Sequence, residues 1–212
     1  MLDPARLTAL LTAISFAAGL NVYLTVAVLG LLGRFHVLQL PPGIAVLDHT
    51  WVIALAIALS VIEAVADKIP YFDLVWNALH TFIRIPAAAL LAYQASSSLS
   101  PAEHALVTVI AAAIAAVAHT TKTSARVAVS ASPEPVSNAV LSTSEDVVAA
   151  GITWLATVHP FVGAGLVVAA LIVIVFLARR VMRGVRGFLA QLRGGPASSG
   201  NSPGSRTDVA GG

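Results

Sequence analysis

The sequence predicts an all-α, polytopic transmembrane bundle of about six membrane helices. Three observations predict it. Hydrophobic residues make up 58% of the 212-residue chain and charged residues only 10%, whereas a water-soluble domain carries about 25% charged residues. Mean hydropathy is +0.88. The apolar residues fall into long runs separated by proline and by short polar stretches, with no strand-like alternation.

The first helix is read across Leu7–Gly33, opened by Asp3-Pro4 as cap and first-turn pair and interrupted by Gly19-Leu20-Asn21. That run far exceeds the core of a cleaved signal, so it is read as a retained helix. Whether Gly19 serves close packing or local unwinding stays open. Pro41-Pro42-Gly43 makes a loop, and a second helix runs from Thr50 to Asp67. The third covers Phe72–Gln94, with Pro86 predicting a kink or break. Ser100-Pro101-Ala102-Glu103 is a capping box opening the fourth helix, which reaches His119 and extends toward Val129. Ser142-Thr143-Ser144-Glu145 reads as a second box that starts the fifth, ending at His159-Pro160. The sixth runs from Phe161 to Ala178. Residues 1–193 thus form the membrane domain with a basic end, and the Gly/Ser/Pro-rich residues 194–212 read as a disordered tail.

With six crossings both termini share one side. That side holds Arg6, Lys68, Arg84, Lys122, Arg126, Arg179, Arg180, Arg183, Arg186 and Arg193, against Arg34 alone opposite. The positive-inside preference then places both ends in the cytoplasm of a plasma-membrane protein. Basic residues lie beside apolar segments, so they face lipid headgroups rather than nucleic acid. The absence of cysteine excludes disulfides, thiolate metal sites and cysteine nucleophiles.

Glu63 and Asp67 share one helix face, and His119, Lys122 and Arg126 share another. Charges near the bilayer are costly, so the simplest arrangement points these two stripes at each other. His80 and Arg84 lie one turn apart, with Asp73 upstream; Glu134, Asn138, Glu145 and Asp146 follow Pro133. The inner segments Asp67–Arg84 and His119–Asp146, which include Lys68, are read as proline-broken loops, re-entrant or flat on the surface. Plainer readings stand beside these. The Glu63/Asp67 and Lys122/Arg126 stripes also suit a structural ion-pair network, Glu145 a helix cap, and Asp146 a dipole-favoured first-turn position. His36, His49, His104 and His159 suit the interface.

No phosphate loop, H-E-x-x-H or G-x-S-x-G occurs, which leans against an enzyme. Carboxylates and imidazoles suit several divalent ions, but no spacing defines a metal site, and no cofactor is implied.

The segments Gly19-Leu20-Asn21-Val22-Tyr23, Ala66-Asp67-Lys68-Ile69-Pro70, His80-Thr81-Phe82-Ile83-Arg84, His119-Thr120-Thr121-Lys122, Ser132-Pro133-Glu134-Pro135, Ser137-Asn138 and Glu145-Asp146 resemble the membrane-protein family designated domain of unknown function 4126. The resemblance spans residues 14–180 and implies a small polytopic membrane protein without supplying an activity. The leading expectation is a transporter or channel-like protein with a charged cytoplasmic-side cavity for a small or anionic solute, embedded in lipid and able to form a homo-oligomer. The alternatives are a membrane-embedded enzyme acting on a phosphorylated lipid headgroup and a structural assembly factor.

Overall fold

The computed structural model describes residues 3–69, 72–130 and 135–193. Among them there is no strand, and the helices are α1 (Pro4–Leu20), α2 (Val22–Arg34), a 3₁₀ segment (Pro42–Asp48), α3 (Thr50–Ala66), α4 (Phe72–Ala95), α5 (Pro101–Ser130), α6 (Pro135–Val158) and α7 (Pro160–Arg193). The all-α class holds. By length and composition, α4, α5 and α7 can each cross a membrane, and the 3₁₀ segment with α3, bent by 71°, makes a fourth span when counted as one. In place of the one expected N-terminal span stand two apolar helices, α1 and α2, each shorter than a full span. The bundle up to Ile172 and the stretch from Val173 onward are separate compact units.

α1 is apolar on every side, and a helix of that kind is stable only when surrounded. It forms the centre of the bundle, packed by α5, α6, α4 and α2, with Leu10, Ala13, Ile14, Ala17 and Ala18 buried. Its start is as expected: Asp3 caps it by accepting the Arg6 N–H at 3.0 Å. The small residues allow close approach. A Cβ on Gly19 would lie 2.5 Å from the Ala115 carbonyl oxygen and 2.8 Å from the Ala118 side chain, so Gly19 serves packing.

The single helix across Leu7–Gly33 is not what forms. Asn21 takes an extended backbone (φ −149°, ψ 100°), ends α1 by donating its N–H to Ala17 at 2.9 Å, and caps α2 by accepting from the Leu24 N–H at 2.9 Å. Asparagine favours such caps because its side chain replaces a missing helical acceptor. The chain then turns back. A straight helix would hold Leu7 and Val37 about 45 Å apart, yet both line one cavity of about 530 Å³, with Leu38–Pro42, Ser97 and Thr157. α1 and α2 therefore form a helical hairpin with its tip at Asn21.

Other expectations are also corrected. Pro86 sits inside α4 without breaking it. The stretches read as inner loops are mostly helix: α4 begins at Phe72, α5 runs on to Ser130, and α6 starts at Pro135. Ser142–Glu145 therefore opens nothing. Proline at the first position of α6 starts the helix earlier, where its missing N–H costs no hydrogen bond. The box hydroxyls turn back onto helical carbonyls instead, Thr143 to Ala139 and Ser144 to Leu141, both at 2.8 Å. The glutamate half of the Ser100 box forms, with Glu103 accepting the Ser100 N–H at 3.1 Å, while the Ser100 hydroxyl donates to the same carboxylate at 2.6 Å. α7 continues to Arg193, well past Ala178. Ser132-Pro133-Glu134 and the tail 194–212 lie outside the described residues.

The polarity of the bundle is inverted relative to a soluble protein. Trp51, Leu55, Phe82, Val109, Val147 and Phe161 are exposed, whereas Arg84, Lys122, Arg126 and Glu63 are among the largest fully buried side chains. Apolar outside and charged inside is the arrangement that a hydrocarbon solvent selects.

Candidate functional site: a buried ion-pair network

Four helices deliver the charges. Each does so by heptad-like spacing, which keeps a single stripe facing inward. On α4 the buried stripe is Asp73, Asn77, His80, Arg84, Ala88, Ala92 and Ala95, polar at one end of the bundle and small at the other. Lys122 and Arg126 come from α5, Glu145 from α6, Glu63 from α3 and Asp67 from the residue that ends it.

Arg84 donates to Glu63, to Asn77 Oδ1 at 2.9 Å and to His119 Nδ1 at 3.0 Å. Lys122 Nζ reaches Asp67 at 2.8 Å, Glu63 at 3.3 Å and Glu145 at 3.4 Å. Its three N–H donors go to Asp67, Glu63 and the Leu20 carbonyl, the last at 3.1 Å at the end of α1, while Glu145 is an ion-pair contact. Arg126 bonds Glu145 at 2.6 Å, the Asp67 carboxylate at 3.1 Å and the Asp67 carbonyl at 2.6 Å. It also stands 3.6 Å from Asp73. The two stripes thus face each other, as their spacing predicts.

An arginine can only donate, so His119 Nδ1 accepts from Arg84 and carries no proton. His119 Nε2 then donates to the Thr81 hydroxyl at 2.7 Å, and the ring is neutral. His80 stands apart, bonded to the Trp76 carbonyl at 2.8 Å and the Tyr23 hydroxyl at 3.2 Å, with the Trp76 ring 4.5 Å away.

Not every expected residue joins. Lys68 is exposed and turns back to the Ala64 carbonyl at 2.9 Å. Asp146 stays on the rim, where it accepts from Asn21 at 2.9 Å. Glu145 is no cap but a member of the network. Asn138 is buried on α6, its Oδ1 without a hydrogen-bond partner among the described residues. Glu134 lies outside them. Sequence reasoning missed Asn77, which bridges Asp67 at 3.4 Å and Arg84. Its place four residues after Asp73 and seven before Arg84 was the available signal. The Leu20 carbonyl was invisible, since a backbone acceptor carries no sequence mark.

Among the described residues no three His, Asp or Glu side chains converge as a metal site would require. What the arrangement does chemically is hold charge away from water in a dense, alternating lattice.

The match to known proteins is to a family model over residues 8–180, described as Domain of unknown function (DUF4126). The chain belongs to this family. No curated protein and no solved structure matches it. Six of the seven DUF4126-like segments in the sequence contribute a described part of this geometry: the Asn21 break, Asp67, His80 to Arg84, His119 to Lys122, Asn138 and Glu145-Asp146.

Proposed function

We propose that this membrane protein is a small transporter of the plasma membrane, and that its buried ion-pair network handles a proton or small cation. One observation carries the reading: a fully buried charge lattice is anchored to the tip of the α1–α2 hairpin, which we read as re-entrant, through Lys122 on the Leu20 carbonyl. A charge inserted at membrane depth costs about 2.5–3.5 kcal/mol even on lenient scales. Apolar residues hold helices together as well as buried ion pairs do. Seven buried charges are therefore an expensive strut but a sensible ion-handling centre. Broken helices beside titratable groups serve that purpose in membrane transporters.

An anionic solute fits less well than the sequence suggests. Arg84, Lys122 and Arg126 are already bonded to carboxylates. The atoms left without partners among the described residues include the acceptors Glu63 Oε2, both Asp73 oxygens and Asn138 Oδ1, and beside them the Nε donors of Arg84 and Arg126. Acceptors attract cations and protons.

A re-entrant α1–α2 pair returns the chain to the side on which it started, so Arg6 and Arg34 share one side and Lys68, beyond α3, lies on the other. The cysteine-free chain makes this testable by single-cysteine labelling in intact cells. Cysteines at Arg6 and Lys68 should label from opposite sides, and labelling from one side refutes the topology.

Purified protein in liposomes should dissipate a proton, sodium or potassium gradient; a bilayer that stays tight to all three counts against transport. The carboxylate partner held by every network cation favours a second reading, a helix-locking assembly factor. The paired exchange of Asp67 with Lys122 separates them, because a lock tolerates the swap and a transport centre loses flux.

A further inference from the structure

The network holds one more carboxylate than it has cations. Glu63, Asp67, Asp73 and Glu145 face Arg84, Lys122 and Arg126, all of them buried. Three of the four carboxylates are directly bonded. Glu63 takes Arg84 and Lys122, Asp67 takes Lys122 and Arg126, and Glu145 takes Arg126. Asp73 differs. It has no solvent exposure, neither carboxylate oxygen has a hydrogen-bond partner among the described residues, and its nearest cation, Arg126, stands at 3.6 Å while bonding Asp67 and Glu145. A buried carboxylate left in that condition is too costly to keep its charge uncompensated.

We propose that Asp73 is the proton-binding residue of the network: one proton from water joins one Asp73 oxygen, converting carboxylate to carboxylic acid and bringing the lattice to neutrality. For its use in transport this rests on the ion-handling reading above. A metal cation fits the same excess charge poorly, because the Arg126 guanidinium already lies against Asp73 and, among the described residues, no three acidic or imidazole groups are placed to hold a metal. A neutral acid, by contrast, tolerates the guanidinium and still offers it an oxygen. The charged group facing Asp73 is Arg126 from α5, through which Asp67 from the end of α3 and Glu145 from α6 are reached. Asn77, on the same helix, spends its amide on the Asp73 backbone carbonyl at 2.8 Å and leaves the carboxyl alone. His119 cannot supply the missing positive charge, since Arg84 occupies its free nitrogen. His80 lies outside the network, on Tyr23 and Trp76.

Infrared spectroscopy of the full chain in lipid nanodiscs, with carbon-13 in the aspartate carboxyls only, tests this. At neutral pH the wild type should show a protonated-carboxyl C=O band that carries the isotope shift. Asp73→Asn should abolish it. Asp73→Glu, which keeps an acid at the position, should replace it by a band without the shift. The wild-type spectrum decides even when neither variant folds: absence of any shifted acid band at neutral pH overturns the proposal and points to a charged His80. Persistence of the shifted band in Asp73→Glu assigns the proton to another aspartate and also overturns it. Loss of the wild-type band when sodium replaces potassium makes the occupant a metal cation and overturns it too. No gradient is involved, so a protein that binds the proton but moves nothing fails the transport reading alone.

Discussion

Replacing Lys122 by methionine keeps most of the side-chain volume and removes only the ammonium. In the wild type that ammonium touches Asp67, Glu63 and Glu145, within 2.8–3.4 Å, and the Leu20 carbonyl. Its loss leaves four buried carboxylates against two guanidinium groups and strips the α1 end of its donor. Breaking a buried pair by deleting one partner costs about 3–5 kcal/mol, because the survivor stays buried and charged. For a chain of this size each kcal/mol moves the melting midpoint by about 2–4 °C. The expected loss is therefore about 6–20 °C, read by thermal unfolding of detergent-solubilised protein followed by tryptophan fluorescence. The companion change Asp67→Asn should recover at least half of that loss in the double variant, since it removes one of the stranded carboxylates. Neighbours sharing one network are strongly coupled in such cycles, by about 0.5–3 kcal/mol. A Lys122→Met midpoint within about 2 °C of wild type would mean that the ammonium is not buried among carboxylates. Purely additive behaviour of the pair would break the network into independent contacts.

Gly19→Ala should destabilise by about 1–3 kcal/mol in denaturant titration, since its Cβ meets the α5 backbone at Ala115; an unchanged midpoint would show that α1 and α5 do not pack there. Asn21→Ala should cost about 1 kcal/mol through the lost cap. Asn21→Asp keeps the cap but opposes a carboxylate to Asp146 and should be the worse variant at neutral pH than at acid pH; equal midpoints at both pH values would refute the contact. Ser142→Ala should cost well under the ~1 kcal/mol of a lost N-cap, because Ser142 lies within α6 rather than at its start. Lys68→Ala should fall within about 0.5 kcal/mol of wild type, as its ammonium is exposed and reaches only a backbone carbonyl.

The membrane character, the all-α class and the pairing of two charged stripes are written into the sequence, for a local reason. Hydropathy follows from composition, and the spacings of Glu63 to Asp67 and of His119 to Lys122 and Arg126 fix a shared face as soon as the segment is helical. The caps at Asp3 and Ser100 are equally local, since three residues suffice to satisfy a free N–H. The same local signal misleads at Ser142–Glu145, where serine and glutamate also suit a helix interior once Pro135 has begun the turn earlier. Whether Glu145 caps a helix or bonds Arg126 depends on α5, nineteen residues away in sequence. The reversal at Asn21 is likewise tertiary. An asparagine flanked by apolar helix formers permits either a continuous span or a break, and the contacts of Leu20 with Lys122 and of Asn21 with Asp146 decide for the break. The odd carboxylate belongs to the same class, because counting charges in the chain cannot say which ones end up without water, and only packing sets Asp73 beside an arginine that two other carboxylates already hold.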